Sequence, residues 1–407
     1  MKPNVVFIHM ESLNQQIFAN RQWFPAINTI YQKSIRLNRF FSSATSTFMA
    51  MSDLLHGDDM LLEHNRVFGD EMTVNKTCRN IFNILKTEGY ETLGTESPTG
   101  WDKLSEVWRE HNNEQYIWED ICQDMISKVE AHLQSPTSPL ALYFWNPTSH
   151  ICCFDRKKMG QHGIDYWHRG WANLDRSTGE LFRLLMKYNQ LNNTIVIAYG
   201  DHGDDFWTHG ANGGYTHAIE PYTSLIHTPA FIYHPGMSST DINHLISMVD
   251  IKKIVLSLVN IPDTDLVSAP TFDLNGGRKY CFSRNLSAAQ PESKKNQALR
   301  KGYSVTSDYF HLMKTVNGYE MYSWTMDPGN HFNLLNLFTE DKVGNLRYNP
   351  DRIMKKTHDK CHPHYKSIIY PATLDAITKS YPEMKGVLDT FINNKHHHIQ
   401  SYAAKGN

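Results

Sequence analysis

Thr194-Ile195-Val196-Ile197-Ala198-Tyr199-Gly200-Asp201-His202-Gly203 is the stretch whose reading decides the fold. Thr194–Tyr199 is a short β-branched and apolar run, the pattern of a strand buried on both faces of a parallel sheet. It ends in a carboxylate and an imidazole side by side. Gly200 and Gly203 give the backbone freedom to aim both at one point. That pair of ligand types suits a divalent transition metal such as zinc or manganese. A polar strand-to-loop turn is the plain alternative.

Working outward, Asn4–Met10 is a second buried run, ending on Glu11-Ser12. A carboxylate at the end of such a strand needs a partner, either an arginine or a metal, because unpaired buried charge is costly. Leu140–Trp145 is a third run, followed shortly by His150. Helical patterns lie at Trp23–Gln32, Phe48–Leu55, Ile81–Glu88, Tyr116–Leu133, Tyr166–Tyr188 and Val249–Leu258. Shorter strands are expected at Leu37–Phe41, Glu91–Gly94 and Thr228–Tyr233. This alternation predicts an α/β fold, a mostly parallel central sheet with helices on both faces. In such sheets ligands bind beyond the carboxyl ends of the strands. Glu11, His150 and Asp201-His202 all stand at such ends.

After Pro262 the pattern changes. Tyr303–Thr315 and Gly318–Trp324 read as an antiparallel pair turned at Asn317-Gly318. The expected division is a catalytic domain over 1–275, a small C-terminal α+β subdomain over 276–345, and a polar, partly helical tail over 346–407.

Bulk properties exclude some partners. The 407 residues carry a net charge of -2, which gives nucleic acid no electrostatic footing. No run of about 18 apolar residues exists to span a membrane. The N-terminus has no long apolar region with a small-residue cleavage site, so the expectation is a cytoplasmic protein. The six cysteines show no Cys-x-x-Cys spacing and read as free thiols. Among 22 histidines, His396–His398 reads as a solvated face.

The hydroxyl-rich stretch Ser42-Ser43-Ala44-Thr45-Ser46-Thr47 precedes an apolar helix that ends at Gly57. Hydroxyls there serve as N-caps. They can also serve as a nucleophile where backbone N–H groups and the helix dipole favour a phosphate or sulfate.

The order of these elements resembles the alkaline phosphatase superfamily: a strand running into Glu-Ser, a hydroxyl-bearing helix start followed by Leu-x-x-Gly, and a strand running into Asp-His-Gly. Counting back from Leu54 and Gly57 places Thr47 at the nucleophile position of the sulfatases. The Pro, Ser and Arg positions of the sulfatase signature hold Met49, Ala50 and Met51. Threonine with a Glu-Ser first ligand looks like the phosphoethanolamine and phosphoglycerol transferases. Asn212 to His217, with Pro221 and His227-Thr228-Pro229, is similar to the segment that follows Asp-His-Gly there. Tyr319–Tyr322 through Asp327-Pro328-Gly329 and Asn333-Leu334 looks like a sulfatase C-terminal segment.

The resemblance implies a metal held by Glu11, Thr47, Asp201 and His202, with zinc or manganese expected. It implies Thr47 as nucleophile and His150 and His217 as substrate-binding or acid/base groups. His209 is an alternative phosphate contact, Glu96 and Trp101 are possible pocket residues, and His56, His227 and His234 read as structural. The leading expectation is a hydrolase or transferase acting on a small-molecule or glycan phosphate ester, a phosphodiester first, through a covalent Thr47 intermediate. Sulfatases of the superfamily use a formylglycine made from Cys or Ser, which threonine cannot become. Ser46 is the adjacent oxidisable residue. A sulfate-ester hydrolase is the alternative, and a non-catalytic phospho-ligand binding protein is a third reading.

Overall fold

The computed structural model describes residues 2–58, 79–95, 115–150, 164–206, 208–209, 216–264, 276–285, 302–349 and 371–403. Strand β1 (Asn4–Met10) is wholly buried and is an interior strand, third in order, of a seven-stranded sheet. The others are β2 (Ile35–Leu37), β4 (Glu91–Gly94), β5 (Leu140–Trp145), β6 (Thr194–Gly200), β7 (Ala230–Tyr233) and β8 (Thr240–Ile242), in the order β4-β5-β1-β6-β7-β2-β8. β1 pairs in parallel with β5 and β6, and β4 with β5. The ends of β5, β1 and β6 therefore lie side by side, and each is followed by one of the polar groups singled out in the sequence.

Both faces are covered, as the apolar runs require. On one side Phe7, Tyr143 and Ile197 pack with helices Thr47–His56, Ile81–Thr87 and Ile251–Leu258. On the other, Val6, Phe144 and Val196 pack with helices Pro25–Tyr31, Gln115–Gln134 and Ile164–Lys187. The mostly parallel sheet with helices on both faces is thus present. The run from Thr228 enters as a strand only at Ala230, and it lies antiparallel to β6 and β2. Direction is a property of the connection, so the run alone could not give it.

Three other expectations change in detail. Trp23–Gln32 splits into a 3-10 turn at Arg21–Trp23 and a helix that starts at Pro25, where proline's missing N–H costs nothing. Leu37–Phe41 is two strands, β2 and β3 (Phe40–Phe41), the latter pairing with β9 (Ile246–Ser247). Tyr303–Thr315 is not one strand. It breaks at Ser307–Phe310, where Ser307 N–H and the Phe310 carbonyl close a turn. The result is a four-stranded antiparallel sheet of β10 (Cys281–Asn285), β11 (Gly302–Thr306), β12 (His311–Thr315) and β13 (Gly318–Tyr322). The expected hairpin turn before Gly318 is there, with Gly318 at φ 109°.

Helix Pro371–Ala403 lies in the stretch read as a polar tail. Its Ile377, Tyr381, Met384, Leu388 and Ile392 are buried with Val305, Leu312 and Met321 of that small sheet. β10 in turn lies against the segment before Thr47: Arg284 N–H donates to the Ser43 carbonyl and the Ser283 hydroxyl to the Ser42 carbonyl. Among the described residues no helix is long and apolar enough to cross a membrane. Glu96, Trp101, Cys152 and Cys153 lie outside the described residues, and Cys122 and Cys281 are buried free thiols.

Candidate functional site

Glu11, at the end of β1, has no solvent exposure. Its Oε2 accepts from the Trp145 indole at 2.9 Å and its Oε1 from the Ser12 hydroxyl at 2.9 Å. Ser12 adopts φ 53°, and its N–H donates to Asp201 Oδ1 at 3.0 Å. One residue thereby ties the two carboxylates together. Burial, and then the charge of Asp201, push the Glu11 carboxyl well above its ordinary range. Burial also works to raise Asp201, but the imidazoles of His202 and His9 outweigh it and hold that group low. Two buried carboxylates joined in this way favour a cation between them.

Gly200 and Gly203 serve this corner by close approach rather than by unusual torsion angles. A Cβ at Gly200 would lie 2.3 Å from the Leu13 carbonyl oxygen, and one at Gly203 would lie 2.3 Å from that of Ser224.

Thr47 opens its helix beside this corner. Its Oγ1 lies 3.3 Å from Glu11 Oε1 and 3.0 Å from His202 Nε2. His202 Nδ1 lies 2.9 Å from the Gly203 carbonyl, which can only accept, so Nδ1 carries the proton. Nε2 is left as a lone pair facing Thr47, able to ligate a metal or accept the hydroxyl proton. Burial is the largest influence on His202 and lowers its pKa, toward the neutral form that either task needs. Ser46 is buried at the N-cap, and its Oγ has no hydrogen-bond partner.

Two more imidazoles complete the group. The His217 ring centroid is 4.4 Å from that of His202 and 4.9 Å from that of His150. Asp204 Oδ1 holds His217 Nδ1 at 3.0 Å, which fixes the ring and leaves Nε2 to the site. Burial, and then the neighbouring imidazole of His217, push His150 well below its ordinary pKa. Glu11, Thr47, His150, Asp201, His202 and His217, singled out from sequence, are thus brought together. His209 is not brought to them: its contacts are Asp205, Tyr222, His331 and the Asn330 carbonyl.

Sequence reasoning passed over Asp204 and His9. Asp204 follows directly on the Asp-His-Gly motif. His9 precedes Glu11 by two residues on a strand, so the two side chains share a face. Its Nε2 lies 3.2 Å from Asp201 Oδ2 and 3.6 Å from Glu11 Oε2. Ligand atoms of His9, Glu11 and Asp201 fall within 4.8 Å of one another. His9 Nε2 and Asp201 Oδ2 are both buried without a hydrogen-bond partner. Buried polar atoms left in that state are rare, and a bound cation would satisfy them. The residues therefore fit a divalent metal.

The chain matches the Sulfatase family over residues 3–261. No curated protein matches it significantly. Among solved structures it is similar to a candidate sulfatase from Bacteroides thetaiotaomicron (TM-score 0.69, 14% identity, covering 98% of this chain and 94% of that one). It is similar to a 2-O GAG sulfatase (0.67, 14%, 98% and 94%). A third, solved with its substrate D-glucosamine-2-N,6-O-disulfate, gives 0.60 at 14% identity, covering 90% of this chain and 98% of that one. At these identities the structures speak for the fold. The family match spans well over half the chain, and the chain belongs to the Sulfatase family, within the alkaline phosphatase superfamily.

Proposed function

We propose, from membership of the sulfatase family, that this chain is a metal-dependent hydrolase that cleaves a sulfate ester, with Thr47 as the nucleophile. The observation that carries the sulfate reading is the Sulfatase family match over residues 3–261. The nucleophile's role rests on Thr47 Oγ1, at a helix N-terminus, 3.0 Å from His202 Nε2 and 3.3 Å from Glu11 Oε1. Glu11, Thr47, Asp201 and His202 would hold the metal, zinc or manganese, the imidazole suiting zinc and the carboxylates manganese. When bound it lowers the pKa of an attacking hydroxyl and stabilises charge on the oxyanion.

The rest falls to the chain. The helix N-terminus before Thr47 orients a sulfuryl group, whose oxygens are drawn to free backbone N–H groups. Thr47 Oγ1 passes its proton to solvent and bonds to the central atom, and the bond from that atom to the alcohol oxygen breaks. His150 and His217 stand where they can hold non-bridging oxygens or return a proton to the departing alkoxide. Water, or an acceptor alcohol in a transferase, then breaks the threonine ester. Sulfated sugars are the substrate class to try first, since one similar protein was solved with a disulfated glucosamine.

The expectation of a phosphodiester as leading substrate gives way here, because the family and the similar structures back the sulfate ester better. One observation keeps phosphate as a second reading. The residue that touches Glu11 and His202 is threonine, whose β-methyl excludes oxidation to the aldehyde. A phosphothreonine can be resolved by in-line attack at phosphorus.

The deciding experiment is parallel turnover of sulfated monosaccharides, an aryl sulfate and a generic phosphodiester by metal-loaded protein, with accurate mass of the trapped intermediate. Sulfate turnover in excess supports the first reading, and phosphodiester turnover with a phosphoryl adduct on Thr47 supports the second. Metal binding with no turnover of any ester would discard both.

A further inference from the structure

His9 sits where no ordinary core residue should. It occupies the last rungs of the central strand, in register with Trp145 on one side and Tyr199 on the other. Its ring stacks between those two, at centroid distances of 5.2 Å and 5.7 Å with interplanar angles of 6° and 24°. Nδ1 lies 2.7 Å from the Tyr143 hydroxyl. Three aromatic neighbours therefore fix both the position of the ring and the direction of Nε2.

That nitrogen is aimed at the two carboxylates, yet at 3.2 Å and 3.6 Å it hydrogen-bonds to neither. Asp201 Oδ2 is equally orphaned, and it also lies 3.3 Å from His202 Nε2. These separations have a simple meaning. Ligands bonded at about 2.0–2.1 Å around one ion lie about 2.9–3.4 Å apart, from right-angled to tetrahedral arrangements. The spacings from Asp201 Oδ2 to His9 Nε2 and His202 Nε2 fall in that range. The tyrosine hydroxyl can accept from Nδ1–H, which frees the Nε2 lone pair, the usual arrangement behind a ligating histidine.

We propose that His9 is a direct metal ligand, so that the site carries two imidazole nitrogens, from His9 and His202, beside the oxygens of Glu11, Asp201 and Thr47. This rests on the metal reading above and deepens it. A second nitrogen donor tilts selection toward zinc and away from the oxygen-preferring calcium and magnesium.

The test uses the full chain, stripped by chelator and reloaded. Bound metal is measured by elemental analysis, affinity by competition with a chelator, and directly bonded nitrogen by pulsed electron paramagnetic resonance of the manganese form with labelled histidine. The unaltered chain should show two coordinated imidazoles. His9→Phe, which keeps the aromatic stack, should show one, with zinc affinity at least about tenfold weaker and calcium affinity moved less. His9→Gln should behave as His9→Phe, which separates loss of the nitrogen from loss of the ring. Unchanged nitrogen count and zinc affinity in both variants would overturn the proposal while leaving the four-residue site standing. Absence of stoichiometric metal in the unaltered chain would overturn the site and, with it, the role of His9.

Discussion

Helix Thr47–His56 touches two buried charged clusters, and they are built on opposite principles. At its start Thr47 meets Glu11 and His202, beside Asp201 and His9, where two carboxylates lie together and two polar atoms are orphaned. One and a half turns on, Asp53 receives Arg284 in a two-pronged pair, at 2.7 Å and 2.9 Å, and the Ser43 hydroxyl at 2.6 Å. Both clusters are fully buried. The second balances its charge internally and joins β10 to the segment that leads into Thr47. Among the described residues the first has no arginine or lysine paired with its two carboxylates, and a divalent metal would supply that charge.

The contrast is broken most directly at Thr47. Thr47→Ala should lower kcat by about 10⁴-fold or more, as removal of a nucleophile does, while metal is retained through the other ligands. Rates within tenfold of the unaltered enzyme would end the nucleophile assignment. Next in size are His150→Ala and His217→Ala, each expected to cost about 10²–10⁴-fold in turnover with metal content intact. Asp204→Asn should give a smaller loss by releasing the His217 ring. Full activity in both alanine variants would remove these histidines from the reaction.

The same contrast predicts opposite stability effects in metal-free protein. Arg284→Met strands the Asp53 carboxylate, and breaking a buried pair in this way costs about 3–5 kcal/mol. Glu11→Gln removes one of two mutually repelling carboxylates, so the metal-free midpoint in urea should hold or rise even as activity is lost. If Glu11→Gln destabilised as much as Arg284→Met, the site would be a structural cluster like the other.

What was legible in the sequence divides along the same line. Glu11 and Asp201-His202 could be read because each is a polar interruption of a buried strand, a purely local signal. His9 was hidden within an apolar run, and only the two-residue period shared with Glu11 could have exposed it. Asp204 acquires its meaning from His217, and Arg284 from Asp53, pairings that depend on the folded chain. Ile377, Tyr381, Met384 and Leu388 keep a helical period and the tail read as partly helical, but the lysines and histidines around them hid the face that is buried against the small sheet. The reversal of β7 and the break at Ser307 were illegible for another reason. Apolar runs specify burial, whereas direction and turning are set by connections.

The smallest expected effect is a pH dependence that again separates the two regions. His311, on β12, is fully buried, and burial pushes its pKa down to about 3. In the unfolded chain a histidine titrates near pH 6.5. Between those values the unfolded state binds a proton that the folded state refuses. Stability from this group is therefore complete above about pH 6.5 and declines as pH falls toward 3, by up to about 1.4 kcal/mol per unit. Glu11 acts in the other sense. Its raised pKa means that the metal-free fold is relieved as acid neutralises the carboxyl, and a bound cation removes that term. The unfolding free energy from urea titrations should thus fall by about 2 kcal/mol from pH 7 to pH 5 through His311, and His311→Gln should flatten the slope by up to one proton. In Glu11→Gln without metal, the loss on acidification should be steeper, because the opposing carboxyl is gone. An unchanged slope in His311→Gln would mean that the ring is protonated within the fold, contrary to its burial.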